Sequence, residues 1–337
     1  MAHEGKQTKG GRMTKRVAAI DCGTNSLRLL IADVDPVRHE LTDVARRMEI
    51  VRLGQGVDAT GRLAPEALGR TMRMLASYAA DIHVAGAVAV RMVATSATRD
   101  AANAADFTRG VERTLGVLPE VISGREEAEL SFAGATAELA AEATVGAGPR
   151  PEPPFLVVDI GGGSTEFVLG KPGSGARHRD DLAAISVDIG CVRLTERHLH
   201  GDPPTSAEVG AAAADIDRAL DQVAATIAVQ DARTLVGLAG SVTSITAIAL
   251  GLQTYDASRT HHARIPVATV SAVTRQLLGQ TRQERAAIGS LHPGRVDVIA
   301  AGALVLDRVM QRFGFAEVVT SEHDILDGIA WSIADAG

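Results

Sequence analysis

The sequence has few aromatic residues, few cysteines and no long apolar run. Its 337 residues include one Trp, two Tyr and six Phe, so stacking platforms for single-stranded nucleic acid are not expected. The two cysteines, Cys22 and Cys191, have neither metal-ligand nor redox spacing, which excludes a disulfide framework and favours a reducing compartment. No uncharged stretch is long enough to cross a membrane. We therefore expect a soluble, cytoplasmic protein.

Acidic residues outnumber basic ones, with 41 Asp and Glu against 34 Lys and Arg. The formal net charge of −7 argues against a protein that coats nucleic acid or an anionic membrane, although a basic groove could lie within the acidic total. Residues 1–14 are polar and basic without an apolar run, so they are neither a signal peptide nor an anchor, and we predict a disordered tail there. The length allows two domains of ordinary size.

One phrase occurs twice in the chain. Segments 19–31 and 157–169 each contain an apolar strand, an Asp, a Gly-containing turn rich in hydroxyl groups, and a second apolar strand. Each copy predicts a β-hairpin whose tip offers backbone N–H groups to an anion. Two such tips facing each other would form a phosphate clamp.

The two turns supply the candidate phosphate ligands. Glycine lets the backbone approach an anion and adopt positive φ, and the hydroxyl and amide side chains add donors. Asp21 and Asp159 end the first strand of each copy and would repel a bare phosphate, so we expect a divalent cation between carboxylate and phosphate. An ordinary tight hairpin is the alternative for either copy alone. The candidate ligands are Gly23, Thr24, Asn25 and Ser26 in the first copy and Gly161, Gly162, Gly163 and Ser164 in the second.

Strands and helices alternate along the chain, which indicates an α/β fold. We predict a first domain at 15–139, a linker rich in Ala, Gly and Pro at 140–154, and a second domain at 155–323. A final helix at 324–337 is expected to pack back on the first domain. Local predictions include a strand at Val84–Val93 and a solvated loop at the adjacent histidines 261 and 262.

The duplicated plan resembles the superfamily of acetate and sugar kinases, heat-shock ATPases and actin. More narrowly, four phrases resemble the exopolyphosphatase and guanosine pentaphosphate phosphohydrolase family, and weaker similarity extends over nearly the whole chain. The resemblance implies two ribonuclease H-like (actin-like ATPase) domains with mixed sheets flanked by helices, and an active site in the cleft between them. The four phrases lie at residues 21–28, 95–101, 122–130 and 159–166.

The resemblance also implies roles for single residues near the cleft. It makes Glu127 the general base, with Glu126 as the rival, and it makes Arg99 a clamp on a phosphoryl group. For either glutamate the alternative is a favourable interaction with a helix dipole. For Arg99 the alternative is a surface ion pair with Asp100 or Asp106.

Asp159 and Glu166 match the acids on the metal side of the family site, with Asp21 as a third candidate, and the implied cofactor is Mg²⁺ or Mn²⁺. Arg28 occupies the place in the first copy that Glu166 occupies in the second, and opposite charges there suggest that the two halves have divided labour. Arg28 and Arg295 are further phosphate-binding candidates, and a role at a helix start is the alternative for Arg295.

The final segment departs from the family pattern. Members often carry a Ser-x-x-Gly-Leu-Arg-Glu-Gly-like phrase, whereas residues 321–328 read Ser-Glu-His-Asp-Ile-Leu-Asp-Gly. The missing Arg leaves recognition of a nucleotide or of distal phosphates open.

The function that the resemblance implies is removal of the terminal phosphate from inorganic polyphosphate, with short chains expected. The alternatives are hydrolysis of guanosine pentaphosphate, phosphate transfer of the kinase type, and a non-catalytic sensor of polyphosphate or nucleotide. The expected partners are polyphosphate and guanosine penta- or tetraphosphate as substrate or inhibitor. A homodimer is expected, and binding to nucleic acid or membrane is not.

Overall fold

The computed structural model describes residues 14–38, 40–140, 150–172 and 182–335. Two mixed β-sheets form its centre, and helices cover both faces of each sheet. Nearly all of the predicted tail and most of the predicted linker lie outside these ranges, so the domain boundary stays a prediction. In the described part of the chain, no helix combines the length and apolar character needed to cross a bilayer.

The first sheet has the strand order β3-β2-β1-β4-β5. Its first three strands form an antiparallel meander, and β4 and β5 extend the sheet in parallel with β1. Its strands are β1 (Lys15–Cys22), β2 (Ser26–Asp35), β3 (Glu40–Ile50), β4 (Ala89–Ala94) and β5 (Glu120–Val121). The helices of this half are α1 (Val57–Thr60), α2 (Pro65–Ala85), α3 (Ser96–Arg99), α4 (Ala104–Leu115) and α5 (Gly124–Ala140).

The second sheet repeats this plan, with the order β10-β11-β9-β6-β7-β8. Strands β6, β7 and β8 form the meander, β9 and β11 extend it in parallel, and β10 is an antiparallel edge. Its strands are β6 (Phe155–Ile160), β7 (Thr165–Gly170), β8 (Ala183–Val187), β9 (Thr234–Leu238), β10 (Arg264–Pro266) and β11 (Glu317–Thr320). The helices are α6 (Cys191–His198), α7 (Ser206–Thr226), α8 (Ala239–Ala249), α9 (Ala257–Thr260), α10 (Val267–Gly279), α11 (Arg282–Ala286), α12 (Ile299–Phe313) and α13 (Ile325–Asp335).

The residues of β1 show why this strand lies at the centre of its sheet. Val17 and Ala19 belong to the core on one face, Ala18 and Ile20 belong to the core on the other, and all four are fully buried. Successive side chains of a strand point to opposite faces, so an apolar residue at every position is typical of a strand covered on both sides. Helices α2 and α4 cover one face, and α13 covers the other.

Helices α5 and α13 each cover the sheet of the opposite half. Helix α5 precedes the second sheet in sequence, and its Ala128 and Phe132 pack on Val157 of that sheet. Helix α13 follows the second sheet, and its Ile329 packs on Val17 of the first. The packing of the last helix agrees with the sequence prediction, whereas the crossing of α5 is not predicted. The exchange places the start of α5 between the two halves.

Helices α5 and α13 cross at a distance that only glycine allows. A Cβ atom on Gly134 would lie 1.9 Å from the carbonyl oxygen of Asp324, and one on Gly328 would lie 2.0 Å from the carbonyl oxygen of Leu130. Both obstacles are backbone atoms in a close-packed interior, so neither can move aside at low cost. The crossing therefore holds Asp324, directly before α13, beside α5.

Two local predictions are wrong. The strand predicted at Val84–Val93 begins only at Ala89, because α2 continues to Ala85 and ends at Gly86 in the left-handed conformation. The two histidines predicted in a solvated loop are partly buried, with their rings stacked at 3.7 Å, and they lead into the short edge strand β10.

Candidate active site

The tips of the β1–β2 and β6–β7 hairpins meet in the cleft between the sheets. Thr24 of the first tip shares a hydrogen bond of 2.8 Å with the hydroxyl of Ser96 and packs against the second tip. A Cβ atom on Gly162 would lie 2.9 Å from Cβ of Thr24, and one on Gly163 would lie 2.7 Å from its Oγ1. Neither glycine has a positive φ, so the prediction that they supply left-handed backbone is wrong. They are needed because the two tips approach closely.

A cavity of about 60 Å³ lies where the tips meet. Its walls contain most of the site residues predicted from the sequence, and they come from both halves of the chain. The predicted residues that line it are Asp21, Gly23, Thr24, Asn25, Ser26, Arg28, Glu127, Asp159, Gly161, Gly162, Ser164 and Arg295.

This cavity contains donors that have no protein partner. In the described residues, Nδ2 of Asn25 is buried and donates to no acceptor. The backbone amides of Gly162 and Ser164 likewise donate to no acceptor within the described structure. A buried donor without an acceptor is costly. These groups therefore indicate that an acceptor such as a phosphate oxygen belongs in the cavity.

Arg28 is held by two carboxylates at the edge of the cavity. Its Nη2 lies 2.8 Å from Oδ2 of Asp21, and its Nη1 contacts Asp324. Burial by itself lowers the pKa of Arg28, but the charges of Asp324 and Asp21 outweigh it and raise that pKa. Burial raises the pKa of Asp21, and Arg28 opposes the shift. Arg28 is thus fully paired in this structure, and its phosphate-binding role stays a prediction.

Arg295 has a different environment. Its guanidinium lies on the backbone of Gly240, where a Cβ atom would come within 1.9 Å of the Arg295 Cζ. Burial is the main cause that lowers the pKa of Arg295, and the charge of Arg28 lowers it further. No carboxylate of the described residues lies at ion-pair distance from Arg295. A partly buried cation without a counter-ion is suited to an anionic ligand.

Three buried carboxylates, Glu127, Asp159 and Glu166, lie at or beside the cavity. Asp159 pairs in register with Glu166 across the second hairpin. Ser131 donates to Oδ2 of Asp159 and Ser186 to Oε1 of Glu166, each at 2.7 Å, while Oε2 of Glu166 is buried without a partner in the described structure. Burial is the main cause that raises the pKa of all three. Nearby arginines oppose these shifts, since Arg99 lowers the pKa of Glu127 and Glu166 and Arg28 lowers that of Asp159, but burial outweighs them.

The two candidate bases at the start of α5 point in different directions. Glu127 lines the cavity, and its Oε2 lies 3.4 Å from Nη1 of Arg99, which also donates to the carbonyl of Ile122 at 3.0 Å. Arg99 therefore contacts the acid without lining the cavity itself. Glu126 forms an ion pair of 3.1 Å with Arg91 and does not line the cavity. The geometry favours Glu127 over Glu126.

The predicted trio of metal ligands is not assembled as one cluster. Among the residues that the structure describes, no group of three His, Cys, Asp or Glu side chains is arranged to hold a metal ion. Oδ2 of Asp21 accepts from Arg28, and Glu166 does not line the cavity. Asp159 and Glu166 remain together because they face each other in the second hairpin.

A larger chamber of about 450 Å³ adjoins the small cavity. The two spaces share Arg28, Ala239, Gly240 and Arg295 in their walls. The two spaces are therefore next to each other, with these four residues between or beside them. The chamber is further lined by residues that include Arg46, Arg47, Met48, Tyr255, Leu291, Pro293 and Leu326.

Several cavity residues were not predicted as site residues. Thr95 and Ser96 follow β4, and Ala239 and Gly240 follow β9. Ala239 has a φ of 62°, a conformation that is rare for a residue with a Cβ atom. The available signal at both places was a buried strand that ends in small or hydroxyl residues.

Known proteins are similar to this chain in sequence and in fold. Residues 30–336 match the Ppx/GppA phosphatase family. The chain is 51% identical over 330 residues to Exopolyphosphatase 2 of Mycobacterium tuberculosis, which covers 95% of this chain and 98% of that protein.

Solved structures give the same result. An exopolyphosphatase-like protein matches with a TM-score of 0.86 and 41% identity over 95% of this chain and 99% of the other. An Aquifex aeolicus Ppx/GppA family member matches with a TM-score of 0.77 and 29% identity over 96% and 98%. The predicted duplicated actin-like α/β fold is thereby confirmed. The chain belongs to the Ppx/GppA phosphatase family.

Proposed function

We propose that this phosphatase hydrolyses the terminal phosphoanhydride bond of inorganic polyphosphate and releases orthophosphate. One observation carries the proposal: unpartnered donors from two hairpin tips and the buried acid Glu127 face the same cavity of about 60 Å³. A space of that size suits one phosphoryl group, and the adjoining chamber suits the rest of the chain. The name of the Mycobacterium tuberculosis relative supports the same reaction.

The terminal phosphoryl group is held by the two tips, at 23–26 and 161–164, together with Arg295. Their donors are fixed because the hairpins contact each other through Thr24. Donors that are already in place need no reorganisation when negative charge develops in the transition state, and this is a major source of catalysis.

Glu127 is the general base in this mechanism. Its carboxylate takes a proton from water while the water oxygen attacks the terminal phosphorus. The bond from that phosphorus to the bridging oxygen breaks, and the shortened polyphosphate leaves as an anion. Burial raises the pKa of Glu127, which brings it closer to the range in which a base works best. Arg99 holds one oxygen of this carboxylate and so orients it.

Asp159 and Glu166 are the residues that fit a divalent cation, Mg²⁺ or Mn²⁺. Both are buried, they face each other, and one oxygen of Glu166 has no hydrogen-bond partner in the described structure. Carboxylate oxygens are the ligands that these hard cations prefer. When bound, the cation would neutralise the two acids and the charge on the phosphoryl oxygens. Asp21 is less suitable because Arg28 already neutralises it.

Guanosine pentaphosphate is a second candidate substrate, and guanosine tetraphosphate is a candidate inhibitor. The chamber favours them because its wall combines apolar side chains, including Met48, Leu291 and Leu326, with Arg46 and Tyr255. Apolar walls with a few polar groups are typical of sites for small organic ligands, whereas polyphosphate alone needs only cations and donors.

Release of orthophosphate from short and long polyphosphate and from guanosine pentaphosphate, with and without Mg²⁺ or Mn²⁺, tests the proposal. We expect metal-dependent release from polyphosphate, with one solvent oxygen in each orthophosphate when the reaction runs in oxygen-18-labelled water. Transfer to an acceptor without net release would identify a phosphotransferase. Tight binding without turnover would identify a sensor.

The homodimer and the cytoplasmic location stay predictions. Cys22 and Cys191 are both free and buried, which agrees with a reducing compartment. Light scattering of the purified protein measures its oligomeric state.

A further inference from the structure

The carbonyl oxygens of the second hairpin tip are turned toward α6. Backbone amides at the start of α6 donate to the carbonyls of Gly161 and Gly162 at 2.8 to 3.1 Å. The carbonyl of Gly163 accepts from Nε of Arg193 at 2.6 Å. A carbonyl oxygen that pointed into the cavity would repel phosphate. Because α6 and Arg193 hydrogen-bond all three carbonyls on one side of the loop, the backbone amides on the other side can face the anion.

Arg193 also binds two carboxylates of the first half of the chain. Its Nη1 lies 2.6 Å from Oδ1 of Asp58, and its Nη2 lies 2.5 Å from Oδ2 of Asp100. The Arg193 side chain is only 11% exposed, so solvent screens these ion pairs less than it would on an open surface. One guanidinium therefore connects the loop of the second sheet with the first half.

Asp100 extends this connection to the first tip. The amide of Asp100 donates to the carbonyl of Ser96 at 2.8 Å, and the Ser96 hydroxyl is bonded to Thr24 at 2.8 Å. Asp100 also directly follows Arg99, which contacts the proposed general base. The contacts of Arg193 thus reach both hairpin tips and the arginine beside the base.

We propose that Arg193 is a positioning residue that holds the two hairpin tips in register around the bound phosphoryl group. Arg193 does not line the cavity, so it acts through Gly163 and Asp100 rather than by touching substrate. This role rests on the proposed function of the cavity, but it holds for any phosphoryl compound bound there. A displacement of roughly 1 Å in a catalytic arrangement can cost about 10²-fold in rate.

Arg197, one turn later on α6, provides a matched control. It also pairs with Asp58, at 2.6 Å, and its Nη1 lies 3.4 Å from Asp215. It makes no hydrogen bond to the hairpin loop within the described structure. Arg197→Gln therefore removes a cation and an ion pair between the halves without disturbing the loop carbonyls.

The kinetic test compares Arg193→Gln, Arg193→Ala, Arg193→Lys and Arg197→Gln in polyphosphate hydrolysis. We expect Arg193→Gln and Arg193→Ala to lower kcat/KM on the order of 10²-fold, with a higher KM and a lower kcat. Arg193→Lys should recover part of the loss, and free guanidinium far below denaturing concentrations should raise the rate of Arg193→Ala. Equal losses in the Arg193 and Arg197 variants, or no response to guanidinium, would overturn the proposal.

Binding of inorganic phosphate, measured by calorimetry, tests the same role without turnover. Folded Arg193→Gln, or Arg193→Lys if the glutamine variant does not fold, should bind phosphate on the order of tenfold more weakly than the wild type. Phosphate affinity equal to that of the wild type would refute the role of Arg193. A wild-type protein that binds phosphate but hydrolyses no polyphosphate would instead refute the proposed function, so the two failures are distinguishable.

Discussion

The two hairpins share a backbone plan and differ in charge. In the first, Asp21 pairs in register with Arg28, and in the second, Asp159 pairs in register with Glu166. Arg28 supplies Asp21 with a counter-charge inside its own hairpin. Asp159 and Glu166 are like charges that face each other, and the pKa of Glu166 is raised by burial first and by Asp159 second.

This difference gives the two hairpins different tasks. The first is electrically balanced without a ligand, so its tip can offer donors to phosphate. In the second hairpin, Asp159 and Glu166 are both buried and repel each other when ionised. Their ionisation is therefore costly unless a cation binds beside them. The division of labour suggested by the sequence thus has a basis in strand register, and the cation site itself stays a proposal.

The largest expected effect is a loss of kcat on replacing Glu127, the acid that lines the cavity between the two hairpin tips. Glu127→Gln should lower kcat roughly 10²- to 10⁴-fold, because the amide cannot accept the proton of water. The KM should change little, since both tips keep their donors. Steady-state phosphate release measures both constants.

Glu126→Gln is the matched control for this prediction. Glu126 pairs with Arg91 outside the cavity, so its loss should leave kcat close to that of the wild type. A large loss in Glu126→Gln with normal turnover in Glu127→Gln would assign the base to the other glutamate.

The next effect tests whether the two tips work as a pair. A Cβ atom on Gly162 would lie 2.9 Å from Cβ of Thr24, and that atom cannot rotate away. Gly162→Ala should therefore push the tips apart and lower kcat/KM on the order of 10²-fold. Gly210→Ala, where an added Cβ atom meets nothing, should leave it unchanged. Full activity in Gly162→Ala would show that the close approach is dispensable.

The difference in charge predicts a difference in metal dependence. Asp159→Asn and Glu166→Gln should each raise the half-saturating Mg²⁺ concentration roughly 10- to 100-fold, because each removes a ligand or its supporting partner. Asp21→Asn should leave that concentration unchanged, since Asp21 is neutralised by Arg28. Metal titrations of phosphate release decide between these outcomes, and equal shifts in all three variants would remove the distinction between the hairpins.

The smallest effect is on the free energy of unfolding, and it tests the crossing of α5 and α13, the two helices that each cover the sheet of the opposite half. Gly134→Ala places a Cβ atom 1.9 Å from a backbone oxygen and should destabilise the fold by about 1–3 kcal/mol. Gly210→Ala, in the second turn of α7 where an added Cβ atom meets nothing, should instead stabilise it by up to about 1 kcal/mol. Urea unfolding measures both changes, and an unchanged midpoint in Gly134→Ala would mean that the helices can separate at no cost.

Local patterns predict much of this fold. The repeated Asp-turn phrase predicts two hairpins, and the structure contains them as β1–β2 and β6–β7. The crossing of α5 onto the second sheet could not be predicted, because it depends on close approach at Gly134 and Gly328 between distant segments.

The candidate site was predictable to a similar degree. The motifs identify the residues at the hairpin tips, but they cannot separate Glu126 from Glu127, since only the helix face decides which one enters the cavity. They also miss the pairing of Arg28 with Asp324 and the contacts of Arg193, because those partners are far apart in sequence. These ion pairs between distant residues could therefore be identified only from the structure.

Direct binding of Mn²⁺, measured by electron paramagnetic resonance in the presence of inorganic phosphate, tests the charge difference between the hairpins most directly. We expect the wild type and Asp21→Asn to bind one Mn²⁺ ion with similar affinity, and the Asp159→Asn, Glu166→Gln double variant to bind none in the same range. Loss of the ion in Asp21→Asn together with its retention in the double variant would contradict the assignment of the cation to the second hairpin.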